Sequence, residues 1–511
     1  MKQHLNTERI FIPAVQEIAT GQPTHKLIAA PRYDSLRNNL IFPPYLLLIC
    51  LLLALTFSSS HAQEVHFTNG FRVSELTSTD AIVWTRLCGQ EKPNPVVHQR
   101  KPKVFRHPLN FDENMPVDEM DGAVRGAEGY VRVLLESSGK TLASEWYPAE
   151  AKEDYTVHIP LDSLTPDTEY TIQLEGKAQQ QDKDFTVLAG SFRTPPVNSI
   201  TAPVSFTMST CQYFWSYDDS VAGFKTYLSM AELAPDFFVQ TGDYVYYDKP
   251  GPLATNPEKA RHKWHAINGW PSLVNFFRET PTYFIKDDHD LLSNDSHAQT
   301  DDYGELSYAE GLVIWEENVP MRKLPYRTVR WGKDLQVWLL EGREYRSANQ
   351  APDGEGKTIL GQQQKAWLTQ TLNDSDATFK IVISATPVVG PDRKNKTDNH
   401  ANVAFQTEGE WLRNLLSQHE NTYVINGDRH WQYVSQDSVT QLMEFGSGPV
   451  SDSHVQGWRG GKQPEHRYLN LIGGFLGVAV DHPDEQPRLT FTHYDVNGNP
   501  KNAEVFSVEK R

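Results

Sequence analysis

The sequence predicts two folded parts, an all-β sandwich over residues 63–197 and an α/β layered domain over residues 198–511, with residues 1–62 as a targeting segment. From Glu64 to about Thr194, short runs alternate apolar and polar residues without a helical period. Beyond Ala202, apolar β-rich runs alternate with segments whose apolar residues recur at helical spacing, the pattern of strands and helices in layers. The length, 511 residues, also exceeds one average domain.

Taken in chain order, the first element is YLLLICLLLALTF, residues 45–57. It has the length of a signal-peptide apolar region and is shorter than the roughly 20 residues that span a bilayer. Ser60-His61-Ala62 then offers small residues for cleavage before Gln63. Ile49 ahead of Cys50 disfavours lipidation, and no twin-Arg pair precedes the run, so the expectation is Sec export to the periplasm or medium without a stable membrane anchor. The net charge of −17 opposes binding to duplex nucleic acid or anionic membranes. It also suits a chain that assembles cation sites.

In the sandwich region, AIVWTRL, GYVRVLLES, YTVHIPL, EYTIQLEGK and FTVLAGSFRT read as strands. A Pro-rich stretch between Cys88 and Tyr130 is too long for an ordinary hairpin and reads as an inserted, solvated surface loop with a basic cluster, HQRKPKVFRH. Pro195, Pro196 and Pro203 mark the linker. Beyond it, VSFTMST, DFFVQTG, PTYFIKD, LQVWLLEG, FKIVISAT and NTYVING read as buried strands. FKTYLSMAELA, HKWHAINGWPSLVNFFRET, QQQKAWLTQTLN and TEGEWLRNLLSQHE read as helices, and LTFTHYDVNGNP as a hairpin turning at Asn497-Gly498.

Open α/β sheets bind ligands beyond the carboxyl ends of their strands, and here those ends are rich in metal-ligating residue types. The first strand is followed by Cys211, the second by Asp243 and Tyr246, the third by Asp287-Asp288-His289-Asp290, and the sixth by Asp428-Arg429-His430. Each alone is weak, since a lone buried cysteine or a strand-end histidine usually has a structural role. Converging carboxylates, however, repel one another unless cations neutralise them. Cys211, Asp243, Tyr246 and His430 form an anionic set suited to a transition metal, with three anionic donors favouring trivalent iron. Asp243, Asp288 and Asp428 form an oxygen-rich second position suited to calcium, magnesium or manganese. With only three cysteines in the chain, one disulfide is possible, but Cys88 reads as a buried thiol because Cys211 is wanted on the metal.

The order GDYVY, DDHD, GDRH resembles the metallophosphoesterase superfamily. With STCQ, GREYRS, LGQQQKAWL and KIVISATPV, the sequence more specifically resembles the alkaline phosphatase D (PhoD-like) family. The resemblance implies a four-layer domain, a β-sandwich flanked by helices, preceded by an immunoglobulin- or fibronectin-like domain. It implies an exported phosphatase or phosphodiesterase with an iron (Fe3+) and calcium (Ca2+) centre, magnesium, manganese or zinc being alternatives at the second position. A hydroxide bridging the two ions would attack phosphorus in line in a small phosphomonoester or phosphodiester. In that frame Asp243 bridges; Cys211, Tyr246 and His430 complete the iron site; Asp288 and Asp428 hold the second ion; His289 holds phosphate or protonates the leaving group; and Arg343 and Arg346 grip phosphate. Asp398, Asn399 and His400 could reach substrate from the loop after the fifth strand. The twin-Arg signal common in the family is absent, and Asp290 stands where glutamate is common. A phospholipase-like or nucleotide-directed diesterase is the rival on the same site. A secreted binding protein with an inert catalytic domain is the rival from another class, and it predicts missing ligands. The sequence sets no oligomeric state.

Overall fold

The period-two patterns become three hydrogen-bonded sheets in the computed structural model, which describes residues 64–102 and 105–508. The export segment and Cys50 lie outside the described residues. Nine strands make the longest sheet, at whose centre Val204–Ser209, Phe237–Thr241 and Thr282–Ile285 run parallel, with Val239 opposite both Met208 and Tyr283. A seven-stranded sheet has Leu335–Leu339, Phe379–Ser384, Thr422–Asn426 and Met443–Ser447 parallel at its centre.

The two sheets lie face to face. Phe206, Met208, Val239 and Ile285 share one core with Val337, Leu339, Ile381, Ile383, Ile425 and Phe445. The alternate residues point outward and are buried too. Phe238 and Phe284 meet Trp264, Leu273 and Phe276 of the helices Pro257–Asn268 and Pro271–Phe277. Trp338, Val382 and Val424 meet Leu368 and Leu412 of the helices Gly361–Asn373 and Gln406–Ser417. The result is helix, sheet, sheet, helix, and burial on both faces is why these strands read as continuous apolar runs. The helix Tyr308–Asn318 carries no clear period and escapes sequence reading; Gly311 in its first turn lets it approach the chain closely, since an added Cβ would come 1.9 Å from the Leu291 carbonyl oxygen.

The N-terminal region differs from a self-contained sandwich. Gly129–Ser137, Lys140–Ala143, Tyr147–Ala149, Glu169–Lys177 and Thr186–Arg193 form a separate five-stranded sheet. Its facing layer, Phe71–Ser74, Ala81–Arg86 and Thr156–Leu161, is the end of the nine-stranded sheet, joined through Ser74 opposite Thr282. Val131, Ile172 and Leu174 therefore belong to the same core as Val239 and Ile381. Alternation gives a strand's two faces but not its pairing partner, so the shared sheet is invisible in the sequence.

The stretch expected as a solvated loop also packs down. Arg100 of its basic cluster donates to the carbonyls of Trp215 (3.0 Å) and Tyr217 (2.6 Å), and Glu113 accepts from the backbone N–H of Gly251 and of Leu253. At the other end of the chain, the predicted turn joins Arg488–Tyr494 to Pro500–Ser507, with Gly498 at φ +77°. Among the described residues no helix is long and apolar enough to cross a membrane.

Candidate metal centre

The parallel strands deliver their chemistry-bearing residues through three left-handed turns, Cys211 (φ +55°), Asp243 (φ +56°) and Asp428 (φ +61°). Each such conformation in a non-glycine residue costs about 1–3 kcal/mol and persists only where the surroundings enforce it. Those surroundings are the neighbouring strand ends. Cys211 N–H donates to Gly242 O (3.2 Å), Gln212 N–H to Asp243 O (2.8 Å), and Asp428 N–H to Thr210 Oγ1 (3.2 Å). The two glycines that precede Asp243 and Asp428 permit the close approach. A Cβ on Gly242 would fall 2.5 Å from Asp287 Cβ, and one on Gly427 would fall 2.2 Å from Thr241 O.

The donors converge on Asp243. Its Oδ2 lies 2.9 Å from Tyr246 Oη and 3.5 Å from Cys211 Sγ, and Tyr246 Oη lies 3.4 Å from His430 Nε2. Cys211, Asp243 and His430 form one group whose ligand atoms lie within 4.8 Å of one another; Asp243, Asp288 and His289 form a second, and Asp243, Asp287 and Asp428 a third. Asp243 is common to all three, and its Oδ1 is buried with no hydrogen-bond partner among the described residues. A buried carboxylate oxygen left unsatisfied is costly, and a cation between two donor groups is the simplest remedy. The residues present therefore fit a dinuclear site.

The electrostatics agree. Burial, then Asp288, Asp290 and Asp428, push the Asp243 carboxyl well above the usual range, against the pull of His289. Burial with Asp243 and Asp428 raises the Cys211 thiol, and burial with Asp243 and Cys211 raises the Tyr246 phenol. Burial beside His454 and Arg393 holds His430 neutral. Protons thus occupy Asp243, Cys211 and Tyr246 wherever a cation does not, whereas Arg343 and His289 hold the buried Asp288 carboxylate ionised.

The remaining predicted residues fall into place unevenly. His289 Nδ1 lies 2.7 Å from Asp248 Oδ1; burial opposes its charge, but Asp248, Asp288 and Asp243 outweigh that and raise it to about 10. Arg343 is buried in an ion pair with Asp287 (Nε to Oδ1, 2.5 Å) and reaches Asp288 at 3.6 Å. Arg346 is also buried, donating to Asn349 Oδ1 (3.0 Å) and Asp398 O (2.6 Å). Asp398, Asn399 and His400 are interior groups: Asp398 pairs with Lys396 at 2.7 Å, Asn399 donates to Asp392, and His400 Nε2 meets Glu408 at 3.0 Å. Among the described residues Cys88 and Cys211 are buried and form no disulfide.

Three further residues shape the site, and two of them escape sequence reading. Asp290 accepts the backbone N–H groups of Asp243, Val245 and Asp287 and so clamps two of the turns together. His454, fully buried, lies with its ring 4.5 Å from that of His430 and 5.1 Å from that of Tyr246, with neither nitrogen hydrogen-bonded among the described residues. Phe105, from the inserted stretch, packs its ring 4.8 Å from that of His454 and 6.2 Å from that of His430. The DDHD motif flags Asp290, but nothing local marks the other two.

Comparison with known proteins gives a consistent result. The family model of the PhoD-like phosphatases matches residues 206–471. Alkaline phosphatase D of Bacillus subtilis (strain 168) is 22% identical over 482 residues, covering 81% of this chain and 75% of the relative. A solved structure of PhoD superposes with a TM-score of 0.63 at 16% identity, covering 88% of this chain and 90% of that one. Purple acid phosphatase PPD1 from yellow lupin (Lupinus luteus) seeds gives 0.56 at 10% identity, covering 86% and 74%. With the family match spanning the strands that carry Cys211 to His430, and the donors gathered around Asp243, this chain belongs to the PhoD-like phosphatase family and is a metal-dependent phosphoester hydrolase.

Proposed function

We propose that the protein is an exported hydrolase of small phosphomonoesters or phosphodiesters, with iron held by Cys211, Asp243, Tyr246 and His430 and a calcium-type ion held by Asp243, Asp288 and Asp428. The observation that carries this reading is the unsatisfied Oδ1 of Asp243 at the junction of three donor groups. One soft set containing a thiol and a phenol stands beside one all-oxygen set, and that asymmetry favours two different ions. When bound, the cations would supply Lewis acidity and a water-derived nucleophile near neutral pH.

The chain's own residues do the rest. Asp248 at Nδ1 fixes the His289 ring, leaving Nε2 to hold a phosphoryl oxygen or to give a proton to the departing alcohol. Arg343 braces Asp287 and Asp288 and so acts by positioning rather than by gripping substrate. The apolar run at residues 45–57 supports export through Sec. Asp243→Asn is expected to lower kcat on an aryl phosphate by at least roughly 100-fold, the order of effect of removing a group that stabilises the transition state. Metal content is measured on the same sample. Full activity in that variant, or a wild-type preparation holding zinc alone, overturns the assignment.

A further inference from the structure

A groove of about 850 Å³ lies beside the metal centre, between the loop after strand Phe379–Ser384 and the segment that follows His454. Its volume falls in the range of about 300–1,000 Å³ typical of small-molecule sites. Its walls contact the two residues that flank His430. Asp392 on one wall takes Arg429 at 2.5 Å, the residue between Asp428 and His430. Trp458 on the other wall lies with its ring 5.3 Å from that of Trp431, which follows His430. The two walls close through Gly457 (φ +96°), where a Cβ would fall 2.7 Å from Arg393 Nη1.

The lining joins aromatic faces to positive charge. Arg393 lies 5.7 Å from the Trp431 ring, and the Trp458 indole N–H is buried without a hydrogen-bond partner among the described residues. Lys394 and Arg459 have no carboxylate within ion-pair distance among the described residues, while Asp392 is engaged by Arg429 and, at 3.6 Å, by Arg393. On a chain of net charge −17, such a local excess of cations next to an indole is a specific feature. Indole faces accept planar rings of any sequence identity, and guanidinium groups accept phosphate.

Resting on the hydrolase reading above, we propose that this groove binds one ester arm of a phosphodiester, and that the preferred arm carries a planar heteroaromatic ring and a further phosphate, the chemistry of a small nucleotide. In the reaction, water replaces one ester oxygen on phosphorus, and the freed alcohol leaves with a proton.

The test holds the leaving group constant. Metal-replete full-length protein is assayed on methyl p-nitrophenyl phosphate, on thymidine 5′-(p-nitrophenyl phosphate), and on the latter bearing a 3′-phosphate. Binding of thymidine 3′,5′-bisphosphate is measured by calorimetry in parallel. The ring is expected to raise kcat/KM about tenfold, mainly through KM, and the 3′-phosphate to raise it further. Trp458→Ala should erase the first increment and weaken bisphosphate binding, Trp458→Phe should keep both, and Arg459→Gln should erase the second increment. Equal kcat/KM for the methyl and thymidine esters, or increments that survive in folded variants, overturns the groove assignment. Bisphosphate binding that depends on Trp458, without turnover of any ester, would instead sink the hydrolase reading and leave the groove standing.

Discussion

Asp243 carries three penalties at once: a left-handed backbone, full burial, and carboxylates on neighbouring turns. Tyr246 and Cys211 share its environment, and each of the three is held protonated by burial beside the others. A cation bound by this set has to displace those protons, so its affinity rises with pH. A ferric ion on the Tyr246 phenolate absorbs visible light, so metal-loaded wild-type protein is expected to be coloured. Tyr246→Phe should lose that band and part of its bound iron while keeping a wild-type circular dichroism spectrum; an unchanged band would remove Tyr246 from the iron site. These residues were legible because thiol, phenol, carboxylate and imidazole each follow the end of an apolar strand run, although Cys211, Asp243 and Tyr246 leave one sheet and His430 leaves the sheet facing it. His454 was not, because it lies in a polar stretch whose path back to His430 is set by tertiary packing. Arg343 was visible as a residue but not in its partner: Asp287, one position from a proposed ligand, claims its guanidinium.

At the scale of elements, the helix Gln406–Ser417 is fastened by one carboxylate. Glu408 accepts from Ile359 N–H (2.5 Å) and from Thr358 Oγ1, and meets His400 Nε2 at 3.0 Å. Burial opposes its charge, but His400, Thr358 and the Ile359 N–H outweigh that and lower it from 4.5 to about 2. A depressed carboxylate stabilises the fold above its unfolded pKa and loses that contribution as pH falls toward the folded value. Glu408→Gln is therefore expected to cost about 2 kcal/mol at pH 7, the scale of hydrogen bonds to a charged group. The difference in Tm between variant and wild type should narrow as pH drops below about 4.5. A gap independent of pH would mean that shape rather than charge fastens the helix. The helix itself was legible from its apolar spacing, whereas its fastening to Thr358 and Ile359 was not, since a buried glutamate leaves no periodic trace.

At the scale of the whole molecule, the composition shift at Pro195-Pro196 reads as a boundary, yet the contacts run across it. Arg72 is buried, lies 3.8 Å from the Trp84 ring centroid, and donates to Asn268 Oδ1 at 3.0 Å. Trp84 Nε1 donates to Glu317 O at 2.9 Å, and Arg327 pairs with Glu75 in the interior. Asp154 pairs with His265 across the same seam, held down at about 2 by His265 and Arg86 in spite of burial. Removing one partner of a buried charged pair costs about 3–5 kcal/mol because the other is left uncompensated. A chain starting at residue 198 would leave the Arg327 guanidinium without Glu75, remove the carboxylate that His265 meets, and lose from the nine-stranded sheet the strands beyond Thr282–Ile285. Native stability is only about 5–15 kcal/mol, so these losses together exceed what the remaining layers can offset. Expression of residues 198–511 alone is accordingly expected to give insoluble protein, and residues 64–511 a soluble, cooperatively melting one. A soluble 198–511 fragment that melts cooperatively and hydrolyses an aryl phosphate at the full-length rate would show that the shared sheet is dispensable.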